Sequence, residues 1–243
     1  MNSSYLSIKI KLLAAFIILC LLILGCSLSS HVANQQAVAG AMQTEQQENQ
    51  QNQVYMLQAN ADYAVASSVK HLVDYAQHIV IGQYGTFIEQ LDSAGNIISE
   101  VYAFEIEEAY KGDLEGSIEV AIANYQIKRI EHLNKIYELK LELPYFTVPE
   151  QGKSYILFLG AERNNEPFRP AIIPFKIMFD DADQAELPLR KIEQQPQLQI
   201  SEHEYVAFES YDMNTPLEKG IPGRSKAELI EVIKQEILKQ ANE

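Results

Sequence analysis

The chain has 243 residues, 47% of them hydrophobic, and its 19 basic and 33 acidic side chains give a net charge of −14. This apolar content is enough for a folded core and excludes a wholly disordered protein. The negative charge argues against nucleic acid as a partner, because phosphate backbones are bound by basic surfaces. The two cysteines, Cys20 and Cys26, both lie near the N-terminus. We therefore predict neither a disulfide framework nor a cysteine zinc site, and no cofactor.

The first residues of the chain have the pattern of an export signal. Lys9 and Lys11 are the only charges before an unbroken apolar run, residues 12–24, which ends just before Gly25. A positive start followed by roughly 7–15 apolar residues is typical of a secretory signal peptide. The run is short for a transmembrane helix, which needs about 20 apolar residues. Residues 1–25 are therefore predicted to be a signal peptide.

The end of this segment, Ile23-Leu24-Gly25-Cys26, resembles the bacterial lipobox. The resemblance implies that the Cys26 thiol receives a diacylglyceryl group and that Cys26 becomes the first residue of the mature protein. Leu24 is bulkier than the residue usually found before the glycine. The alternatives are an ordinary signal peptide with a chance cysteine and an uncleaved anchor. A lipid on Cys26 predicts the membrane as a partner, because two acyl chains anchor a protein stably.

Residues 26–60 are rich in glutamine and contain few bulky apolar side chains. Such a segment buries too little apolar surface to offset the entropy lost on folding. After the lipidated cysteine we therefore predict a flexible tether, with a weakly helical stalk as the alternative. The expected location is the extracytoplasmic face of a bacterial cell membrane. The long tether and the lack of disulfides favour a Gram-positive bacterium over a Gram-negative outer membrane.

The predicted domain, residues 61–243, opens with an amphipathic helix. Apolar residues recur at helical spacing between Val65 and Ala76, which is the pattern of one buried helix face. Asn60 or Asp62 is the expected N-cap of this helix. The composition then changes to isoleucine, valine, tyrosine and phenylalanine, so β-structure is expected directly after the helix.

A series of short strands follows the helix. Five strands are predicted, over residues 78–91, 101–110, 118–122, 154–159 and 172–179. Gly82 and Gly85 are expected to cause bulges or bends in the first strand, and residues 93–96 to form a hairpin turn. In the second strand Glu105 and Glu107 alternate with apolar residues, which predicts one buried and one solvated face.

The last strands are separated by an insertion and followed by a helix. Residues 125–149 are predicted to be the insertion, and the alternating pattern of its second half indicates a further strand. Ser225 with Glu228 three residues later is a capping box, so a C-terminal helix is predicted over residues 225–241. Five strands flanked by an N-terminal and a C-terminal helix predict a mainly β (α+β) fold, a small closed or half-closed barrel.

Three segments of the domain have an order that is familiar from a known family. They are residues 76–82, residues 102–113 with their Lys-Gly-Asp turn, and residues 152–159. They resemble the core of exported OB-fold domains related to tissue inhibitors of metalloproteinases (TIMP) and netrin modules, over about residues 62–182. The resemblance implies that the barrel is a five-stranded OB-like, TIMP-like barrel of the kind found in bacterial surface proteins. The inhibitors use a free N-terminal cysteine amine, whereas Cys26 would be acylated, so no functional residue is carried over.

The insertion contains the strongest candidate for a binding surface. Four basic side chains, including one histidine, stand close together at positions 128–135 of an otherwise acidic domain. They can attract an acidic protein or an anionic envelope polymer, and exposed aromatic rings often extend such surfaces. The candidate site consists of Lys128, Arg129, His132, Lys135, Tyr137, Tyr145 and Phe146. The alternative is a solvated face on which neighbouring glutamates balance the charge.

The sequence predicts no metal site and no catalytic residue. The five histidines lack the spacing of a zinc site. The acidic residues at 180–186 offer oxygen atoms to calcium but lack the spacing of an EF-hand, so a solvated turn is favoured. Ser67 and Lys70 have Ser-x-x-Lys spacing without the companion motifs of serine acyl-transfer enzymes.

These observations leave three hypotheses for the function. The favoured one is a membrane-anchored lipoprotein that is not an enzyme and whose domain binds a protein or an envelope polymer. The second is an inhibitor or regulator of an extracytoplasmic enzyme, with residues 125–149 as the loop that enters the cleft of its target. The third is an unrecognised hydrolase, which would need a nucleophile, an acid and a base in one pocket.

Overall fold

The computed structural model describes residues 53–57, 64–93, 96–132, 134–164, 166–192, 197–208 and 215–242. The predicted signal peptide, the lipobox with Cys26 and most of the predicted tether lie outside these ranges. All the described residues belong to one compact unit.

The described part of the chain is mainly β-structure, as the sequence predicts. Its ten strands are β1 (Gln53–Leu57), β2 (His78–Ser93), β3 (Ile97–Lys111), β4 (Ser117–His132), β5 (Lys135–Glu142), β6 (Ser154–Leu159), β7 (Lys176–Phe179), β8 (Ala185–Glu186), β9 (Gln197–Gln199) and β10 (Glu204–Phe208). Its three helices are α1 (Val69–Tyr75), α2 (Leu217–Gly220) and α3 (Lys226–Gln240). Within these ranges, none of the helices combines the length and apolar content that crossing a membrane requires.

Seven of the strands form one antiparallel sheet that is curled into a half-barrel. Their order is β5-β4-β3-β2-β6-β7-β8. The predicted number of five strands is therefore too low for this sheet. One reason is that β4 continues to His132 and pairs with β5, so most of the predicted insertion belongs to a hairpin of the sheet. The other reason is that the short strand β8 pairs with β7 at the opposite edge.

Residues 168–171, which follow β6 in the sequence, form backbone hydrogen bonds with both β4 and β6. The Phe168 carbonyl accepts a hydrogen bond from the Ala121 amide at 2.8 Å, and the Phe168 amide donates to the Glu119 carbonyl at 2.8 Å. On the other side, the Ala171 amide donates to the Phe158 carbonyl of β6 at 3.1 Å. The segment that carries Phe168 is thus bonded to two strands that are not neighbours in the sheet.

The two faces of the sheet are buried by different partners. The inner face holds a core of large, mostly aromatic and branched side chains: Val80, Tyr84, Phe104, Ile122, Tyr155, Leu157 and Phe175. The opposite face packs against α1 and α3 through Leu72, Ile79, Ile81, Ile156, Phe158, Leu229 and Ile233. Strands buried on both faces explain why β6 is an almost continuous apolar run.

The remaining three strands form a small second sheet with the order β1-β10-β9. Strand β1 pairs in parallel with β10, and Val206 and Phe208 of β10 pack against Leu141 of β5. Residues 53–57 lie inside the segment that the sequence analysis predicts as tether, and the structure has them as a strand. Their sequence, Gln-Val-Tyr-Met-Leu, contains β-favouring residues that the surrounding glutamines obscure.

Helix α1 begins later than its apolar pattern predicts. Its N-cap is Ser68, whose hydroxyl oxygen accepts a hydrogen bond from the His71 amide at 3.2 Å. Asn60 and Asp62, the predicted caps, lie outside the described residues. The pattern was misleading because Val65 takes part in a β-bridge to Ile173 rather than in the helix.

Other local predictions are confirmed by the structure. The Ser225 hydroxyl accepts a hydrogen bond from the Glu228 amide at 3.3 Å, and α3 starts directly after this cap. The register of β2 against β3 shifts between Ile81 and Gly82 and again between Tyr84 and Phe87, close to both predicted glycine bulges. One boundary was predicted wrongly: the strand predicted over residues 172–179 begins only at Lys176, since Pro174 lacks the amide that a strand needs.

Candidate functional site

The predicted cationic surface is divided between the two faces of the β4–β5 hairpin. Arg129 stands opposite Glu138, whereas Lys128 stands opposite Leu139 and His132 opposite Lys135. Because neighbouring residues of a strand point to opposite faces, Lys128, His132 and Lys135 share one face and Arg129 lies on the other. The structure therefore does not bring these four side chains together as one surface.

Several of the predicted site residues already have partners within the domain. The Arg129 guanidinium lies 2.9 Å from the Glu138 carboxylate. His132 Nε2 is 3.9 Å from Glu204 of the second sheet, and the Tyr137 hydroxyl donates to the Ile200 carbonyl at 3.2 Å. The side of the hairpin that carries Tyr137 is thus covered in part by the second sheet.

The two other predicted aromatic residues are buried. Tyr145 is 3% exposed and Phe146 is 1% exposed, so their rings are not available on an outer recognition surface. The Arg190 guanidinium stacks on the Phe146 ring, 4.8 Å from its centroid. The sequence prediction was misleading because residues 143–147 form a loop whose side chains pack against the rest of the domain. The composition of a loop does not show whether its aromatic residues are buried or exposed.

A cleft of about 930 Å³ lies elsewhere, on the outer side of β3 and β4. Its floor is made by the small side chains of Ser99, Ala121 and Ala123, which are adjacent in the sheet register. One side is formed by residues 91–93 at the end of β2, and the other by Arg163 and by residues 166–167 and 169–173. A volume of this size is in the range of small-ligand and peptide sites.

The alternation of β4 explains why this part of the sheet has room for a ligand. Val120 and Ile122 point to the inner core, so Ala121 and Ala123 point outwards. Ala121 is 2% exposed and Ala123 packs against Tyr145 and Ile173, so other segments of the domain cover this part of the strand, and the two short side chains leave the space that the cleft occupies. Ser99 opposite Ala123 is also small, and it is buried at the bottom of the cleft.

Two arginines stand in the wall of the cleft. Arg169 Nη1 donates to the Ser93 hydroxyl at 3.2 Å, and its Nη2 lies 3.5 Å from the Glu166 carboxylate. Its Nε is buried and has no hydrogen-bond partner among the described residues. Arg163 is exposed, and its guanidinium makes no ion pair with any described residue. The cleft therefore offers unused N–H donors.

A second group of polar side chains is enclosed within the domain. Asn124 Nδ2 donates to the Glu100 carboxylate at 2.7 Å, and Arg190 Nη2 donates to the side-chain amide oxygen of Asn124, Oδ1, at 3.0 Å. Lys176 Nζ donates to the Thr147 carbonyl at 2.9 Å. Burial, with a smaller contribution from the Arg190 charge, lowers the pKa of Lys176 to about 7. Because these groups are partly or fully buried and hydrogen-bonded within the domain, they do not form an open site.

The described residues contain no metal centre. No group of three or more histidine, cysteine, aspartate or glutamate side chains in the described ranges is placed to hold a metal ion. In the acidic turn, one Asp180 carboxylate oxygen accepts the amides of Ala182 and Gln184, each at 2.8 Å. This carboxylate therefore holds the turn itself, in line with the solvated-turn interpretation of the sequence.

The comparisons with known proteins add no family to this description. The chain matches no protein-family model, no curated protein and no solved structure. The cleft residues were missed because they come from distant parts of the sequence. The signal that would have pointed to them is the pair Ala121 and Ala123 in the outward positions of an amphipathic strand, with Arg163 and Arg169 in one loop of an acidic chain.

Proposed function

We propose that this protein is a bacterial lipoprotein anchored by lipid on Cys26, with a domain that binds a ligand outside the cytoplasm and performs no catalysis. The membrane and one further partner, a protein or an envelope polymer, are its expected contacts. The lipobox at residues 23–26 supports the anchor. The observation that supports binding is the cleft, where Arg163 and Arg169, with N–H groups that have no partner among the described residues, stand beside a floor of small side chains.

The half-barrel also supports a proposal about its fold family. Strands β2, β3, β4 and β6, with the segment around Phe168 between β4 and β6, can be read as a five-membered ring. We regard this ring as an OB-like, TIMP-like barrel, to which β5, β7 and β8 are additions. OB folds commonly bind their ligands on a sheet face and its loops, which agrees with the position of the cleft.

The lipid anchor is tested by metabolic labelling with an alkyne analogue of palmitate. The wild-type chain is expected to carry the label and to fractionate with membranes. Cys26→Ala removes the thiol that accepts the lipid and should abolish labelling. Cys20→Ala is the matched control, because this residue lies inside the predicted signal peptide and should leave labelling intact. Equal labelling of both variants would show that Cys26 is not the lipidated residue.

The binding site is tested by photocrosslinking in intact cells. Benzoylphenylalanine is placed at Arg163 in the cleft or at Arg129 on the hairpin. A discrete product from the cleft position that is lost on adding Ala123→Phe, which fills the floor, would support the proposal. Products from the hairpin position alone would instead make residues 125–149 the binding surface and favour the inhibitor hypothesis. Products that persist in the filled variant would exclude the cleft.

A further inference from the structure

The residues that line the cleft are mostly apolar. They include Ile97, Ala121 and Ala123 on the sheet and Ile172 and Ile173 on the facing segment. A ligand that fills a cavity of this kind gains affinity mainly because its apolar surface is removed from water. The cleft therefore favours a ligand with an apolar body.

Most of the polar side chains of the cleft already have partners. The Arg169 guanidinium contacts the Ser93 hydroxyl at 3.2 Å and the Glu166 carboxylate at 3.5 Å. Tyr145 also interacts with another residue. Asp92 precedes Ser93 in the strand, so its side chain points away from the face that carries the Ser93 hydroxyl. Two polar side chains that line the cleft make no such contact in the described part of the chain, and they restrict the ligand further.

The first of these side chains is Ser99, on the floor of the cleft. Ser99 is 3% exposed and stands opposite Ala123 in the sheet, and its hydroxyl forms no hydrogen bond with any described residue. A purely apolar ligand would cover this hydroxyl without offering it a partner, which weakens binding. We therefore expect the ligand to carry a neutral hydrogen-bonding group at the end that meets the floor.

The second of these side chains is Arg163, at the mouth of the cleft. It lines the cleft but is exposed, and within the described ranges its guanidinium has no carboxylate partner. A guanidinium has only N–H donors and forms its strongest hydrogen bonds with anionic groups such as a carboxylate. Because the whole chain carries a charge of −14, it repels a polyanion far more than a ligand with a single negative charge.

We propose that the cleft binds a small amphipathic acid, an apolar body with a hydroxyl group at one end and a carboxylate at the other. The hydroxyl group pairs with Ser99, the body lies on Ala121 and Ala123, and the carboxylate pairs with Arg163. One molecule meets all of these residues because they line the same cavity of about 930 Å³. This inference rests on the proposed binding function and specifies the chemistry of the ligand.

The test uses para-hydroxyphenylpropionic acid as the probe. Isothermal titration calorimetry of the full-length protein in detergent compares it with phenylpropionic acid, which lacks the hydroxyl group, and with para-hydroxyphenylpropionamide, which lacks the charge. We expect the probe to bind about five- to tenfold more tightly than phenylpropionic acid and about threefold more tightly than the amide. Ala123→Phe, which fills the floor of the cleft, should bind none of the three compounds and corrects for their uptake by detergent.

Two variants assign each preference to one residue. Ser99→Ala should abolish the preference for the hydroxyl group and bind phenylpropionic acid at least as tightly as the wild type does, because no buried hydroxyl is left unpaired. Arg163→Gln should abolish the preference for the acid over the amide and keep the preference for the hydroxyl group. Arg129→Gln, the matched arginine control on the hairpin, should retain both preferences. Equal affinity of the wild type for the probe and phenylpropionic acid, or preferences that both cleft variants keep, would overturn the proposal.

A competition experiment identifies the source of the amphipathic group. A peptide with an internal tyrosine beside a glutamate presents the same phenol and carboxylate as a partner protein would. Displacement of the probe by this peptide, and not by its phenylalanine analogue, would show that the group belongs to a protein. Binding of the free acid alone would show that the ligand is a small molecule, and either result supports the proposed chemistry of the cleft.

A failure of this proposal is distinguishable from a failure of the proposed function. If crosslinking at position 163 depends on an open cleft but neither the probe nor the tyrosine peptide binds, the binding function stands and the amphipathic-acid proposal is wrong. If crosslinking at position 163 and binding of both compounds fail, the cleft is not a binding site and both proposals are wrong.

Discussion

Lys176 is the most unusual residue of the described core. It lies on the inner face of the sheet opposite Leu157 and is 2% exposed. Its Nζ donates to the Thr147 carbonyl, and the nearest charge that affects it is the like charge of Arg190. A buried ammonium without a carboxylate partner is strongly destabilised, which is why the pKa of Lys176 falls from 10.5 to about 7.

The lowered pKa predicts a definite pH dependence of stability. Between the folded pKa of about 7 and the unfolded value of 10.5, the unfolded chain binds more protons than the folded one. The contribution of Lys176 to the free energy of unfolding therefore rises with pH across this window. Relative to Lys176→Met, the wild type should gain about 2–3 kcal/mol between about pH 7 and about pH 9.5. Urea denaturation at both pH values measures the difference.

Because the wild type and Lys176→Met share all other titratable groups, the difference between their free energies of unfolding isolates the pH dependence that Lys176 causes. Lys191→Met, a change at an exposed lysine, is the control and should show no such gain. Met in place of Lys176 leaves the Thr147 carbonyl without its donor, which lowers stability about equally at both pH values. A stability difference that does not change with pH would show that Lys176 titrates normally in the folded protein.

Strand β1 is the element whose role is least evident from the sequence. Val54, Tyr55 and Met56 are exposed, so little of its stability comes from buried side chains. The strand is held by backbone pairing with β10 and by the Tyr55 hydroxyl, which donates to Glu204 at 3.1 Å. A proline in such a strand is harmful only where the lost amide faces the partner strand.

The pairing geometry predicts which position of β1 is sensitive to proline. The Gln53 amide donates to the His203 carbonyl at 2.8 Å, so by the two-residue period the Tyr55 amide also faces β10 and the Val54 amide faces away. Tyr55→Pro should release β1 and increase amide hydrogen exchange in residues 204–208 by about tenfold or more. Val54→Pro is the matched control and should change this exchange little. Equal effects of both prolines would contradict the observed register.

Elements defined by local chemistry were the predictable ones. The Ser225 cap and the alternation of β3 depend on neighbours within a few residues, and both are found where the sequence places them. The start of α1 was missed because Val65 continues the helical pattern while its backbone bonds to the distant Ile173. The same reason applies to β1, whose strand conformation depends on β10, about 150 residues later in the chain.

At the scale of the molecule, the site was not accessible to sequence reasoning. The cationic cluster around Lys128 is contiguous in sequence, but the strand period sends Arg129 to the opposite face. The cleft has the reverse property, since Ser93, Ser99 and Arg169 meet only after the sheet has curled. Reasoning from closeness in the sequence therefore favoured the hairpin as the site and missed the cleft, whose residues are far apart in the chain.

Phe168 links the strands of the half-barrel in two ways. The segment that joins β4 to β6 is not a regular strand, and Phe168 bonds to Glu119 and Ala121 through its backbone while its ring enters the inner core. The ring also meets His78 edge-on, with 5.5 Å between the centroids. Because Phe168 both hydrogen-bonds to β4 through its backbone and packs its ring in the inner core, loss of the ring should destabilise the whole domain.

This coincidence leads to a prediction about cooperativity. Phe168→Ala should lower the free energy of unfolding by about 3 kcal/mol, the usual result of truncating a buried phenylalanine, and keep one transition in urea. Phe87→Ala, at a half-exposed phenylalanine of the same sheet, is the control and should cost less than about 1 kcal/mol. If Phe168→Ala instead leaves global stability unchanged while trypsin cuts faster at Arg163 than in the wild type, the segment opens independently. In that case one wall of the cleft would be mobile, and the hydrogen bonds between this segment and β4 would break without unfolding of the rest of the domain.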